Sequence, residues 1–140
     1  MKKKVYLCGP IQSRTGEEAN AWRQKAIKEL SSDFEMLDPM RRQFSDEDML
    51  GTNEIVQMDK KDVEEADILL VNYNCARQET TLAGTAMEIH LAHQLGKYVV
   101  AFSDLPNEKR SPWMIYHCTR ICNTEDDAIE YIKKHFKELS

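Results

Sequence analysis

The residues with the clearest chemical potential lie in the stretch 84–97, where a polar turn leads into a helix that carries Glu88. Gly84 and Thr85 form a turn that suits a sugar or phosphate, and an apolar strand is predicted at 98–102 after the helix. We place Glu88 in the first turn of this helix, where the positive end of the macrodipole favours the ionised carboxylate. A fixed carboxylate that faces a cleft can act as a nucleophile or as a base.

The same stretch also supports a structural interpretation. Thr85 and Glu88 fit the capping box S/T-x-x-E, in which the glutamate folds back onto the first backbone amides of its helix. The local pattern alone favours this role over catalysis. His90 and His93 share one face of the helix, but the sequence supplies no third ligand for a metal ion. We therefore expect surface or packing histidines and no metal site.

A second acid, Asp59, lies within the apolar stripe of a helix predicted at about 53–65. The stripe consists of Ile55, Val56, Val63 and Ala66. An unpaired buried carboxylate is costly, so Asp59 on this face needs a partner or a pocket. A solvated position at the edge of the stripe, or a backbone cap, is an equally weighted alternative. Asp62 is offset from the stripe and is predicted to be a solvated neighbour.

A strand predicted at 4–8 ends at Gly9-Pro10, which forces a turn at its carboxyl end. Such loops line the ligand crevice in parallel α/β sheets. Asn72 lies at the carboxyl end of the clearest strand, predicted at 66–73, and should face the same side. A polar surface loop is an equal alternative for the residues after Pro10. The candidate ligands for sugar or phosphate oxygens in that loop are Ile11, Ser13 and Arg14.

The elements that position these residues alternate between strand and helix along the whole chain. Further strands are predicted at 34–37, 98–102 and 120–122, and further helices at 17–32, after Ser111 and after Thr124. This order predicts one α/β domain over residues 1–140, a three-layer sandwich around a mostly parallel five-stranded sheet of the flavodoxin-like or Rossmann-like type. Residues 40–51 are predicted to form a long loop, which is often functional in a small domain.

The composition is that of an ordinary globular domain. The chain has 140 residues, 41% hydrophobic and 31% charged, with a net charge of −5 that forms no block. This charge disfavours binding to nucleic acid, which needs a basic face. No apolar run can span a bilayer and no signal peptide follows Met1, so we expect no membrane contact and a cytoplasmic location. Free thiols in or near the core are predicted for Cys8, Cys75, Cys118 and Cys122.

Three motifs occur in order along the chain: Tyr6-Leu7-Cys8-Gly9-Pro10, then Asp59 with Ala66-Asp67, then Gly84-Thr85-x-x-Glu88 with Ala92 and Gly96-Lys97. In this respect the sequence resembles the nucleoside 2-deoxyribosyltransferase family, which includes 2′-deoxynucleoside 5′-monophosphate N-glycosidases. The resemblance covers nearly the whole chain.

The resemblance implies a role for three residues. Glu88 would attack the anomeric carbon of a deoxyribose and form a covalent glycosyl ester, which another nucleobase or water then attacks. Tyr6 would orient the carboxylate by a hydrogen bond. Asp59 would hold the sugar or manage the proton on the departing base. The implied reaction transfers deoxyribose from a nucleoside to a free nucleobase, with no metal or organic cofactor.

Two departures from the family pattern keep alternatives open. Leu82 stands where many transferases have an acid, and His90 replaces a glycine. The second interpretation is a deoxynucleoside monophosphate N-hydrolase, with phosphate bound by Ser13, Arg14 and a neighbouring subunit's serine that corresponds to Ser111. The third is a non-catalytic nucleotide sensor. The resemblance also implies a homodimer or larger assembly, with sites completed in trans. Residues 113–116 are predicted as an apolar contact patch or as core.

Overall fold

The computed structural model describes residues 2–10, 16–41, 52–74 and 82–137. Five strands and five helices alternate in the predicted order. The strands are β1 (Lys3–Cys8), β2 (Phe34–Leu37), β3 (Ile68–Asn72), β4 (Tyr98–Phe102) and β5 (Arg120–Cys122). The helices are α1 (Gly16–Leu30), α2 (Thr52–Glu65), α3 (Ala83–Gln94), α4 (Pro112–His117) and α5 (Glu125–Phe136). Of the predicted long loop, Pro39–Arg41 form a 3-10 turn, and residues 42–51 lie outside the described residues.

The five strands form one parallel sheet in the order β2-β1-β3-β4-β5. The predicted α/β class and flavodoxin-like arrangement are therefore confirmed. The chain moves from β1 to one side for β2 and then returns to the other side of β1 for β3. Ligands of open parallel sheets bind at this switch point, outside the carboxyl ends of the two central strands. Here those ends are Cys8 and Asn72.

Alternation along β1 divides its side chains between the two faces of the sheet. Val5 and Leu7 pack with α1 and α5 in one core cluster. Tyr6 and Cys8 point to the opposite face, into the cluster formed with α2 and α3. The sheet is thus covered on both sides, and a helix on the second face meets the polar groups of Tyr6 and Cys8.

The helices bury one side each, as their apolar spacing predicts. Trp22 on α1 lies in the core, with its ring edge-on to Phe102 at a centroid distance of 5.6 Å. Thr124 caps α5, since its hydroxyl accepts a hydrogen bond from the Asp127 amide at 3.1 Å. The prediction for Val56 on α2 was wrong, because its side chain is 51% exposed.

The solvated position predicted for Asp62 was also wrong. Asp62 is buried on α2, and its Oδ1 accepts a hydrogen bond from Arg41 Nη2 at 2.8 Å. Arg41 belongs to the turn after β2, and its Nη1 also donates to the Asp38 carbonyl at 2.7 Å. A carboxylate can be buried in this way because a cation and its hydrogen bonds compensate the lost hydration. The pair joins α2 to the end of β2.

The apolar residues of α4 divide between core and surface. Met114 is buried, whereas Trp113, Ile115 and Tyr116 are largely exposed. The cysteines Cys8, Cys118 and Cys122 are free thiols, of which Cys8 is fully buried; Cys75 lies outside the described residues. In the described segments, no helix is both long enough and apolar enough to cross a membrane.

Candidate active site

The carboxylate of Glu88 is held by two side chains of β1. The Tyr6 hydroxyl donates a hydrogen bond to Glu88 Oε2 at 2.8 Å, and the Cys8 thiol donates to Oε1 at 3.2 Å. The two donors are two residues apart in a strand, so they share one face of the sheet. Ile89 and Ala92 are buried and anchor α3 against that face. Each carboxylate oxygen therefore has its own donor from β1.

The capping box predicted for Thr85 and Glu88 does not form. The helix begins three residues earlier than this pattern predicts, with Leu82 in place of Thr85 as its N-cap, and the amide of Ala86 bonds to the carbonyl of Leu82 at 2.8 Å. Thr85 is therefore a buried residue inside the first turn. Glu88 lies in the second turn, where β1 engages both of its oxygens.

The expectation that the helix start keeps Glu88 ionised was wrong. Burial raises the pKa of Glu88 to about 7, because desolvation outweighs the hydrogen bonds from Tyr6 and Cys8, which lower it. The negative charge of Asp59 raises this pKa further, and the guanidinium of Arg23 lowers it. A carboxyl group with such a pKa is close to half ionised at neutral pH. Such a perturbed acid in a crevice is a candidate catalytic group.

Tyr6 and Cys8 remain protonated donors at neutral pH. Burial raises the pKa of both groups, and the nearby charge of Glu88 raises each of them further. Asp59 is half-buried on α2, and its charge acts on both Tyr6 and Glu88. The structure thus brings together the three residues singled out for catalysis, from β1, α2 and α3.

Gly9 follows β1 at a point of close packing. A Cβ atom there would lie 2.9 Å from Trp22 Cζ2 and 3.2 Å from Asn72 Cβ, so only glycine fits without a shift. Asn72 ends β3 next to this glycine, and its Oδ1 accepts a hydrogen bond from the Asn74 amide at 3.0 Å. Pro10 is half-buried beside them. The carboxyl ends of β1 and β3 therefore form one tight surface beside Glu88.

Sequence reasoning missed Arg23 on α1, whose side chain binds the backbone carbonyl of Gly9 just after β1. Its side chain is fully buried on α1; Nη2 donates to the Gly9 carbonyl at 3.0 Å, and Nη1 donates to the Ala19 carbonyl. Its Nε lies 3.9 Å from Asp38 Oδ1, and burial lowers the pKa of the guanidinium. The signal was present, because Arg23 falls four residues after Ala19 within the apolar stripe of α1.

Of the remaining predicted ligands, one lies in α3, one lies at the start of α4, and three lie outside the described residues. Gly84 is exposed in the first turn of α3. Ser111 caps α4, with its hydroxyl accepting from the Trp113 amide at 3.2 Å, and it lines a cavity of about 200 Å³ between α3 and α4. The three residues of the first loop, Ile11, Ser13 and Arg14, are outside the described ranges.

The predicted histidine pair on α3 meets a third ring, that of His117 on α4. His90 Nδ1 lies 3.1 Å from His117 Nε2, and the ring of His93 packs against His117 at a centroid distance of 4.7 Å. His117 Nδ1 lies 2.7 Å from the Trp113 carbonyl. Over the residues that the structure describes, no group of three or more His, Cys, Asp or Glu side chains could hold a metal ion.

Comparison with known proteins relates this chain to one family. Residues 5–127 match the family model described as "Nucleoside 2-deoxyribosyltransferase". A comparison with curated proteins finds no significant match.

Several solved structures share the fold. A 2-deoxyribosyltransferase from Bacillus psychrosaccharolyticus superposes with a TM-score of 0.73 at 18% identity, over 91% of this chain and 91% of that chain. A 2-desoxiribosyltransferase from Leishmania mexicana gives 0.71 at 18% identity, over 96% and 99%. A CMP N-glycosidase from Clostridium botulinum gives 0.65 at 16% identity, over 96% and 100%.

Proposed function

This chain belongs to the nucleoside 2-deoxyribosyltransferase family, and from that we propose that it breaks the N-glycosidic bond of a 2′-deoxynucleoside and transfers the deoxyribose to another nucleobase. The observation that carries the proposal is the Glu88 carboxylate, with one hydrogen-bond donor on each oxygen at the switch point of the sheet. This geometry suits a nucleophile that must be fixed in orientation before it attacks.

The reaction has two displacements. In the first, a Glu88 oxygen bonds to C1′ while the C1′–N bond breaks, and the electron pair leaves with the base, which takes up a proton on that nitrogen. In the second, a nitrogen of the incoming base attacks C1′ and gives up its proton to Asp59, the bond from C1′ to the Glu88 oxygen breaks, and Glu88 departs as a carboxylate. The two steps follow the logic of retaining glycosidases, with an oxocarbenium-like transition state for each.

Two residues support the nucleophile in this proposal. Tyr6 fixes the plane of the carboxylate through its hydrogen bond to Oε2. Asp59 manages the proton of the departing base, because a purine or pyrimidine anion is a poor leaving group unless it is protonated. Its half-buried position and its effect on the pKa of Glu88 are consistent with this role. The substrate-binding residues that we propose are Gly9, Pro10, Ile11, Ser13, Arg14, Asn72, Gly84, Thr85 and Ser111.

A second candidate function is hydrolysis of a deoxynucleoside monophosphate, with water in place of the acceptor base. Leu82 favours it, because an apolar side chain there cannot bind or protonate a base as an acid could. The CMP N-glycosidase from Clostridium botulinum shows that the fold also carries a glycosidase.

The deciding experiment supplies a deoxynucleoside, or its monophosphate, with and without a second free base. We expect the exchanged nucleoside in the first case. Free deoxyribose phosphate from the monophosphate alone would contradict transfer and establish the hydrolase. Glu88→Gln should abolish both reactions. The matched control is Glu125→Gln, since Glu125 on α5 is another acid whose pKa burial raises to about 7. Turnover that persists in Glu88→Gln would overturn the catalytic role of Glu88, whereas no glycosidic cleavage with any nucleoside would favour the nucleotide sensor.

We also propose that the protein assembles as a homodimer, or a larger oligomer built from it, whose sites are completed by a neighbour. Trp113 and Tyr116 support this, because they expose 78% and 72% of their surface on α4, next to the candidate trans residue Ser111. Light scattering should give at least twice the mass of the 16.3 kDa chain. A monomer with full activity would contradict the proposal.

A further inference from the structure

The Cys8 thiol is a buried nucleophilic group that the proposed mechanism leaves unused, yet it contacts the carboxylate at its centre. Its Sγ lies 3.2 Å from Glu88 Oε1 and 3.9 Å from the backbone carbonyl oxygen of Thr85. A thiol has one proton, so it donates to only one of these acceptors at a time. The shorter distance and the charge of the carboxylate favour Glu88. The thiol thus donates to Glu88 Oε1 and has the Thr85 carbonyl as an alternative acceptor.

The two oxygens of Glu88 are held with unequal strength. The Tyr6 hydroxyl donates to Oε2 at 2.8 Å, a normal distance for a strong hydroxyl donor. The Cys8 thiol is a weak donor by nature. An oxygen that forms a bond to carbon becomes a poorer acceptor, so its hydrogen bond is weakened or lost. Oε1 is therefore the oxygen whose release costs less.

We propose that Cys8 is a positioning residue for the Glu88 nucleophile: its thiol holds Oε1, the oxygen that attacks, by a weak hydrogen bond that passes to the Thr85 carbonyl as the ester forms. This inference rests on the proposed function. As the Oε1–C1′ bond forms, the C1′–N bond breaks and its electron pair leaves with the base. The thiol keeps its proton and changes only its acceptor. Tyr6 stays on Oε2, which becomes the carbonyl oxygen of the ester.

The effect of a substitution at Cys8 must be separated from the effects of the other groups that act on the Glu88 carboxylate. Among the described residues, Tyr6 and Cys8 face it from β1, Asp59 acts on it from α2, and Arg23 acts on it from α1. A substitution at Cys8 leaves the other three charges and donors in place. Burial keeps the pKa of the thiol high, so the hydrogen-bond donor persists through the neutral range.

The test compares Cys8→Ala and Cys8→Ser with Cys122→Ala, a control at another strand thiol. Infrared spectroscopy follows the titration of the Glu88 carboxyl band, which Glu88→Gln identifies. Cys8→Ala should raise the titration midpoint by roughly 0.5 to 1 unit, since a donor to the carboxylate is lost. Cys8→Ser should bring it back to the wild-type value or below, and the control should leave it unchanged.

Single-turnover kinetics with a deoxynucleoside complete the test. At pH 6, Cys8→Ala should form the ester about three- to tenfold more slowly, because less Glu88 is ionised. At pH 9, Cys8→Ser should be about two- to fivefold slower than wild type, since a stronger hydroxyl bond must leave Oε1. An equal or faster rate in Cys8→Ser at pH 9 would place the attack on Oε2 and overturn the inference.

The titration separates a positioning role from packing alone. If Cys8→Ala lowers the unfolding temperature while the Glu88 midpoint stays unchanged in both variants, Cys8 only fills space and the inference is overturned. This measurement needs no turnover, and Cys8→Ser, which is nearly isosteric, serves if the alanine variant does not fold. Retained turnover in Glu88→Gln would instead overturn the proposed function, and with it the attacking role of Oε1.

Discussion

At the scale of single residues, the environment of Glu88 balances two opposing demands. A nucleophile must be ionised, whereas burial raises its pKa to about 7. The hydrogen bonds from Tyr6 and Cys8 oppose this shift, because they stabilise the charged form. The reactivity of the carboxylate is therefore set by two neutral donors on one strand, and the pH dependence of activity should report on them.

Activity should rise with pH through about 7, the pKa of Glu88 in the free protein. Tyr6→Phe removes the donor to Oε2, so the rising limb of kcat/KM should move to higher pH. We expect a shift of roughly one unit and a loss of about tenfold at pH 6. Profiles of kcat/KM between pH 5 and 9 measure this. Tyr98→Phe, on β4, is the matched control. A limb at the same pH in Tyr6→Phe would contradict the role of the hydrogen bond.

At the scale of elements, the turn after β1 depends on close packing between α1 and β3. A Cβ atom on Gly9 would meet Trp22 of α1 and Asn72 of β3, and Arg23 donates to the Gly9 carbonyl from α1. The turn is held by contacts from two different layers of the fold. Its position relative to Glu88 is therefore fixed by packing as well as by its own conformation.

Gly9→Ala should displace this turn, because the added methyl group would lie 2.9 Å from the Trp22 ring. We expect a loss of about 1–3 kcal/mol in the free energy of unfolding, as is typical of overpacking. Chemical denaturation gives the stability, and KM should rise more than kcat falls because binding is affected first. Gly84→Ala is the control for the stability measurement only, since its Cβ would meet nothing within 4 Å. Equal stability of the two variants would contradict this reasoning.

The ion pair between Arg41 and Asp62 joins α2 to the turn after β2. Asp62→Ala should leave the Arg41 charge without this partner and should destabilise the protein by about 1–3 kcal/mol. Urea denaturation measures the change. Glu64→Ala, at an exposed position of the same helix, should change stability by less than about 0.5 kcal/mol. A neutral effect of Asp62→Ala would show that the pair contributes no net stability.

The sequence predicted the elements well and their buried polar contacts poorly. The apolar runs of β1, β3 and β4 identify strands because both of their faces are buried. The relative burial of Asp59 and Asp62 was not predicted correctly. A periodic apolar stripe indicates which side of α2 faces inward, but it does not indicate which residue of the helix meets a cation. Arg41 lies 21 residues from Asp62 in sequence, and only the tertiary fold brings them together.

For the candidate site as well, the sequence identified the main residues but not the contacts between them. The separate motifs marked Tyr6, Asp59 and Glu88; in the fold the Tyr6 hydroxyl donates to Glu88, and the charge of Asp59 acts on both. The pattern Thr85-x-x-Glu88 suggested a cap, because local rules cannot show that α3 starts at Ala83. Cys8 was assigned to the core from its apolar neighbours. Its proposed positioning role depends on a hydrogen bond to Glu88, 80 positions away in sequence, and periodicity cannot indicate such a contact.

At the scale of the whole molecule, the site has a cost in stability. Glu88 has a pKa of about 7 in the fold and an ordinary value near 4.5 without it. The folded state therefore holds its proton more tightly, and stability falls as pH rises from about 4.5 to 7. The cost at higher pH is about 3 kcal/mol at most, from the size of this shift. The proposed reaction thus requires the ionised state of Glu88, which the fold disfavours.

Glu88→Gln should remove this cost. The variant should be more stable than wild type at pH 8, and the difference should shrink as pH falls towards 4.5. Thermal or urea unfolding at several pH values measures the difference, which cancels the contributions of other acids. Glu64→Gln is the control and should show no such trend. A constant difference between wild type and Glu88→Gln across this range would contradict the raised pKa.

The alternation of β1 ties the chemistry to correct strand pairing. Tyr6 pairs with Leu69 of β3 and Cys8 pairs with Val71. A slip of β1 by one residue would turn Val5 and Leu7 towards Glu88 and send both donors to the opposite layer. Such a misfolded chain could keep its secondary structure while it loses both hydrogen bonds at once. In a refolded sample, the fraction of active sites would therefore equal the fraction of molecules in which β1 is paired in the correct register.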